Sequence, residues 1–183
     1  MTDSRERLLA AAIDHVATHG LADLSLRGLA AAIGTSHRML IYHFGSKEGL
    51  LVELIRAVEQ RQRDALAQLE LSPDATLADL GRAFWRRLTD PALWPHERLF
   101  FEVYGQALRG RAPATSLLDD DIASWLRPGV RTLADTGMPA DRAEALARLG
   151  LAAARGLLLD LLATGDRRAV TEAFELFLSL IPR

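Results

Sequence analysis

The stretch SLRGLAAAIGTSHRMLIYHFGSKEGL, residues 25–50, decides the reading of this chain. Ser25 is a good helix cap, and a short helix follows from Leu26 to Ile33, ended by Gly34. Thr35 or Ser36 caps the next helix, which runs to about His43 and stops at Gly45. Ser46 caps a longer one that continues to about Leu69. Ala30, Ala31 and Ala32 let the two short helices approach closely. Two short helices meeting at a glycine turn are the layout of a helix-turn-helix, whose second helix enters the major groove of DNA. Leu29, Ile33, Leu40 and Phe44 have the spacing to pack inward against Leu9 and Ile13. That leaves His37, Arg38, Ile41 and Tyr42 on the remaining surface. Arginine can pair bidentately with guanine, histidine can donate or accept, and an apolar side chain can touch a thymine methyl.

Outward from this stretch the chain reads as helix throughout, with no sustained period-two alternation. The first helix is expected to start after Asp3 or Ser4 and to stop at Gly20, with Leu8, Leu9, Ala12, Ile13 and Val16 as its apolar stripe. Ser72-Pro73-Asp74 breaks the chain. Further helices follow at about 76–89, 96–109 and 116–135, separated by Pro91, Pro95 and Pro113. Pro128 should kink or split the last of these, because it lacks an N–H and clashes with the preceding turn. Pro139 suits the first turn of a helix at about 140–163 that Gly165 ends; Asp166 caps the final helix and Pro182 closes it. The expected fold is all-α with about nine helices: an N-terminal three-helix helix-turn-helix domain over 1–47, and a larger helical ligand-binding and dimerisation domain over 48–183.

Composition narrows the function classes. With no cysteine, disulfide scaffolds, thiol catalysis and cysteine-based zinc sites are excluded. The longest apolar stretch, Leu149 to Ala163, contains Arg155 and Asp160 and is shorter than the roughly 20 mostly apolar residues a bilayer span needs. The N-terminus carries Asp3 and Glu6 and lacks the apolar core of a signal peptide, so a cytoplasmic location is expected. A net charge of −2 argues against a general nucleic-acid coat but not against a reader that concentrates positive groups on one face. Residues 1–50 balance Arg5, Arg7, Arg27, Arg38 and Lys47 against Asp3, Glu6, Asp14, Asp23 and Glu48, so placement, not total charge, carries the argument.

The segment GTSHRMLIYHFGSKEGLL, residues 34–51, resembles the TetR (tetracycline-repressor-like) family of bacterial regulators. Leu40, His43, Phe44 and Lys47 fit the family pattern, and the helix before the segment has the expected length. At Ile41 the family usually carries an aromatic that touches a phosphate, which leaves the neighbouring Tyr42 as the candidate for that contact. The resemblance implies a dimer that binds palindromic double-stranded operator DNA, acts as a repressor, and is released by a small, mostly apolar effector. It implies a DNA-facing set of Ser25, Arg27, Thr35, Ser36, His37, Arg38, Met39, Tyr42, His43 and Lys47. Lys47, the only lysine in the chain, sits in the first turn of a helix. A cation there opposes the helix dipole unless an anion such as a phosphate binds beside it.

The segment from Leu149 to Ala163 is apolar nearly all round, and such a helix must be covered on more than one side. The last helix offers a seam of its own. The expected dimer interface is Leu149, Ala153, Gly156 and Leu157 with Val170, Phe174, Phe177, Leu178 and Ile181; the other reading is that these two helices pack only within their own domain. Trp85, Phe101, Tyr104 and Trp125 are candidates for a ligand pocket wall, because Trp and Tyr join an apolar body to a polar handle; a plain hydrophobic core explains them as well.

Three signals mislead. His15 and His19 have the i,i+4 spacing of a metal pair but no third ligand nearby, His96-Glu97 meets Phe100 where a zinc-protease motif needs histidine, and Asp119-Asp120-Asp121 suits the first turns of a helix. No metal, no cofactor and no catalytic site is therefore expected. The alternative function is a helical protein-interaction module with no operator of its own, and specific, salt-sensitive binding to a palindromic duplex separates the two.

Overall fold

The computed structural model describes residues 2–20, 24–67, 76–110 and 116–181. These form nine α-helices and one 3-10 turn, with no strand among the described residues. The helices are α1 (Thr2–His19), α2 (Leu26–Ala32), α3 (His37–Phe44), α4 (Lys47–Ala67), α5 (Leu77–Leu88), α6 (Trp94–Leu108), α7 (Ser116–Asp135), α8 (Ala140–Thr164) and α9 (Arg167–Ser179), with the 3-10 turn at Pro91–Leu93. The expected breaks at Ser72-Pro73-Asp74 and Pro113, and the closing role of Pro182, lie outside the described residues. So do the side chains of Asp3, Asp119, Asp120 and Asp121.

Three boundaries and one break differ from expectation. α1 already begins at Thr2, so Asp3 and Ser4 lie in its first turn rather than at its cap. α6 begins at Trp94, so Pro95 lies in its first turn, where its missing N–H costs no helical bond, rather than before it. Pro139 is the N-cap of α8, with an extended ψ of 141°, rather than part of its first turn. α7 runs unbroken through Pro128. Side-chain bonds reinforce the turns on either side of that proline: Arg127 Nε donates to the Ala123 carbonyl at 3.2 Å and the Thr132 hydroxyl donates to the Pro128 carbonyl at 3.1 Å.

The helices fall into two compact units, Met1–Gln62 with Pro95–Asp120, and Arg63–Trp94 with Asp121–Arg183; the division falls inside α4 and α7. The core of the first joins Ala12, Ile13 and Val16 of α1 to Leu29 and Ala30 of α2, Leu40 and Phe44 of α3, and Leu50, Leu54 and Ile55 of α4. Leu9 and Ile33 are partly buried against it. α6 completes it with Leu99, Phe100, Val103 and Ala107. At the start of α6, burial, then the positive charge of Arg61, pushes the His96 pKa down, against a smaller opposing effect of Asp14.

In the second unit, the ring of Trp85 on α5 stacks on Phe174 of α9, with centroids 4.6 Å apart. Its Nε1 donates to the Thr171 hydroxyl at 3.2 Å. Arg82 donates to both carboxylate oxygens of Glu175 at 2.9–3.0 Å. Thr76 and Asp79 form a reciprocal capping box at the start of α5. The Thr76 hydroxyl and backbone bonds hold the Asp79 carboxyl below the usual carboxylate range.

The corner between α3 and α4 is the tightest place in the first unit. Gly45 turns the chain with a φ of +76°, and Ser46 N donates to the Phe44 carbonyl at 2.9 Å. Ser46 Oγ then accepts from Gly49 N at 3.0 Å, capping α4. A Cβ on residue 49 would stand only 2.2 Å from the Phe44 carbonyl oxygen. Alanine favours a helix over glycine by about 1 kcal/mol, but a backbone oxygen cannot swing aside, and overpacking typically costs about 1–3 kcal/mol. Gly49→Ala should therefore lower the midpoint of urea unfolding; a midpoint equal to or above wild type would show that the corner yields freely.

Candidate DNA-reading surface

The helix-turn-helix is set by local backbone chemistry. Ser25 caps α2 by accepting from Gly28 N at 3.0 Å. Gly34 leaves that helix at φ +70°, with Gly34 N donating to the Ala31 carbonyl and Thr35 N to the Ala30 carbonyl. This pair of bonds is a Schellman closure, and glycine meets its left-handed residue without strain. Ser36, one of the two expected caps, holds the start of α3 by accepting from Met39 N at 3.1 Å.

α3 is sharply two-sided. Leu40 is fully buried and Phe44 is 7% exposed, while Tyr42 is 66% exposed. Arg27, His37, Arg38, Met39 and Ile41 are exposed with it, as are Ser25 and Ser36, while Thr35 is half-buried. Of the ten residues expected to face DNA, seven are therefore exposed, and Thr35, His43 and Lys47 are half-buried. The His43 ring lies edge-on to Tyr42 and its Nε2 is covered by protein without a hydrogen-bond partner. Lys47 is half-buried in the first turn of α4.

Beneath α3, Arg5 of α1 pairs with Glu53 of α4 at 2.5 Å and lies over the Phe44 ring, 5.3 Å from its centroid. Arg56 pairs with the other oxygen of Glu53 at 3.3 Å. These residues line a cavity of about 330 Å³ together with His43 and the Gly45-Ser46 corner. Sequence reasoning had given none of Arg5, Glu53 and Arg56 a role; their pairing across 48 residues of chain leaves no local pattern.

The aromatic candidates do not share one environment. Phe101 and Tyr104 are half-buried around Phe100 in the first unit. Trp85 belongs to the second, where both its face and its N–H are occupied. Trp125 stands apart: its ring lies 5.7 Å from that of Phe84, Arg63 sits 5.4 Å above it, and its buried Nε1 has no hydrogen-bond partner.

The nine residues expected at a dimer interface also divide. Val170, Phe174 and Leu178 are buried inside their own chain, whereas Leu149 and Gly156 are exposed and Ala153, Leu157, Phe177 and Ile181 are half-buried. The open faces of α8 and α9 include leucines that the sequence reading passed over: Leu159 is 51%, Leu176 64% and Leu180 74% exposed.

The helix-turn-helix region, residues 8–54, matches the sequence model of the family described as bacterial regulatory proteins, tetR family. No curated protein matches the chain. Among solved structures, EbrR, a multidrug-binding protein complexed with imidazole, is 29% identical, with a TM-score of 0.73 over 100% of this chain and 92% of that one. A transcriptional regulator from Rhodococcus sp. Rha1 is 23% identical, with a TM-score of 0.79 over 97% of this chain and 95% of that one. A TetR variant from Acinetobacter baumannii AYE, in complex with minocycline, shares the fold at 19% identity and a TM-score of 0.63 over 93% of this chain and 89% of that one. No helix among the described residues is long and apolar enough to cross a membrane. Over residues 8–54, then, the chain carries the DNA-binding segment of the tetR family, and over its whole length it has the all-helical fold of the TetR-like transcriptional regulators it resembles.

Proposed function

We propose that this regulator is a cytoplasmic repressor that binds a palindromic operator as a dimer and leaves it on binding a small, mostly apolar molecule. Residues 1–47 carry DNA binding, and residues 48–183 carry effector binding and dimerisation. The observation that carries the reading is the two-sided α3, with Leu40 and Phe44 inside and Arg38, Tyr42 and their exposed neighbours outside. Arg38 in this reading contacts a base edge, and Lys47 a phosphate at the start of α4. Arg38→Ala should weaken operator binding by about 1–3 kcal/mol and relax preference at one position per half-site. Lys47→Ala should weaken all sequences alike and make the salt dependence shallower by about one unit per lost contact. Binding titrations at several salt concentrations test this; equal loss of sequence preference in both variants would overturn the assignment.

The dimer seam in this proposal is the open face of α8 and α9. Leu149, Ala152, Gly156 and Leu159 recur along α8 at helical spacing, as do Ala173, Leu176 and Leu180 at the end of the chain, and all are exposed. A two-fold axis would pair each face with its copy. Leu176→Arg should leave a folded monomer in sedimentation, because it sets unpaired charges facing each other across the seam. Phe174→Arg should instead unfold the second unit, since Phe174 stacks on Trp85 inside the subunit. A Leu176→Arg chain that stays dimeric would remove this face from the interface.

Release needs no contact between effector and DNA. A palindrome requires two recognition helices about 34–36 Å apart, and an effector that prefers another spacing is enough. α4 starts at the DNA-facing corner and continues into the second compact unit, so it is the natural lever. Coupling of about 1–3 kcal/mol lowers operator affinity about 5- to 150-fold. EbrR is complexed with imidazole and the Acinetobacter protein with minocycline, which supports a small-molecule role. Trp125, with its unpartnered N–H, is the best-placed of the aromatic candidates to meet an effector. Compounds screened from an apolar and aromatic panel, imidazole included, for release of operator should act about two- to tenfold less well on Trp125→Phe at unchanged DNA affinity, the net worth of one hydrogen bond. Unchanged release in that variant would exclude Trp125.

A further inference from the structure

Ile41 is 38% exposed, while Leu40 beside it is fully buried. It follows His37 by four residues and Arg38 by three, the spacings that place side chains together on one helix face. All three are exposed, so two groups that can hydrogen-bond and one that cannot form a single patch. An isoleucine side chain has no atom that can bond a phosphate or the polar edge of a base. In the major groove only thymine offers an apolar group, its C5-methyl. Tyr42 is more exposed, but its hydroxyl serves a phosphate as readily as its ring serves a methyl group, so exposure does not assign it to a base.

We propose that Ile41 reads the C5-methyl of a thymine in each operator half-site, beside the base that Arg38 contacts. This rests on the DNA-reading function proposed above and adds a determinant of its specificity. Uracil differs from thymine by that methyl group alone, so replacing dT with dU removes the contact and leaves every hydrogen-bonding atom in place.

The test uses duplexes enriched from a random pool by the full-length wild-type chain, remade with dU at each dT in turn. At one thymine per half-site, dU should weaken wild-type binding about fourfold, the effect of leaving one methyl group in water. Ile41→Ala should bind the dT and dU duplexes equally, and Ile41→Val, which keeps a branched methyl pair, should retain discrimination. Thermal melts of the free variants separate a loss of contact from a loss of fold. An enriched sequence at which every dU is silent overturns this inference and leaves DNA reading intact, as does an Ile41→Ala chain with the wild-type preference for dT. A pool in which no sequence is enriched overturns DNA reading itself, and this inference with it.

Discussion

A backbone oxygen and a missing side chain meet at the corner between α3 and α4. The Phe44 carbonyl occupies the space where any Cβ on residue 49 would stand, and it accepts from Ser46 N in the same turn. The direction in which α3 leaves the core is therefore fixed against the first turn of α4 by main-chain contact. Arg5 adds a second tie, pairing with Glu53 while it lies over the Phe44 ring. Ion pairs this open to water contribute little each, so the corner and the buried Leu40 carry most of the constraint. Arg38 and Ile41 extend from a helix held in this way, and a base can be read only from a support whose angle does not drift.

The parts of the molecule that were legible in the sequence are those built from local bonds. Ser25, Gly34, Ser36 and Gly45 each act within a few residues of themselves, and each stands where the sequence places it. The inward set of Leu29, Leu40 and Phe44 was legible for the same reason, since one helical period separates inside from outside on a short amphipathic helix.

What was not legible depends on which long-range partner wins. From Leu149 to Ala163 α8 is apolar nearly all round, so its period cannot say which face meets its own subunit and which is left open. α9 carries two apolar lines, and the one made by Val170, Phe174 and Leu178 is taken up by its own subunit, including Trp85 of α5. Leu176 and Leu180 remain outside. The tryptophans differ in the same way: Trp85 finds the Thr171 hydroxyl and Trp125 finds no acceptor, a distinction set by residues far off in the chain. Pro128 marked a break that α7 does not make, because a proline weakens a helix locally while the packing of the whole helix decides whether it continues.

Lys47 gives the chain an unusual chemical economy. It is the only lysine, so all other basic side chains apart from histidine are guanidinium groups. Reagents and enzymes that act on side-chain amines therefore have one target, in the first turn of the helix that follows the exposed α3. Acetylation there would remove its positive charge and leave the guanidinium of Arg38 untouched. The same uniqueness makes Lys47 the one side chain at which an amine-directed spectroscopic label, its product at the α-amino group aside, reports from beside the exposed α3 without any substitution in the sequence.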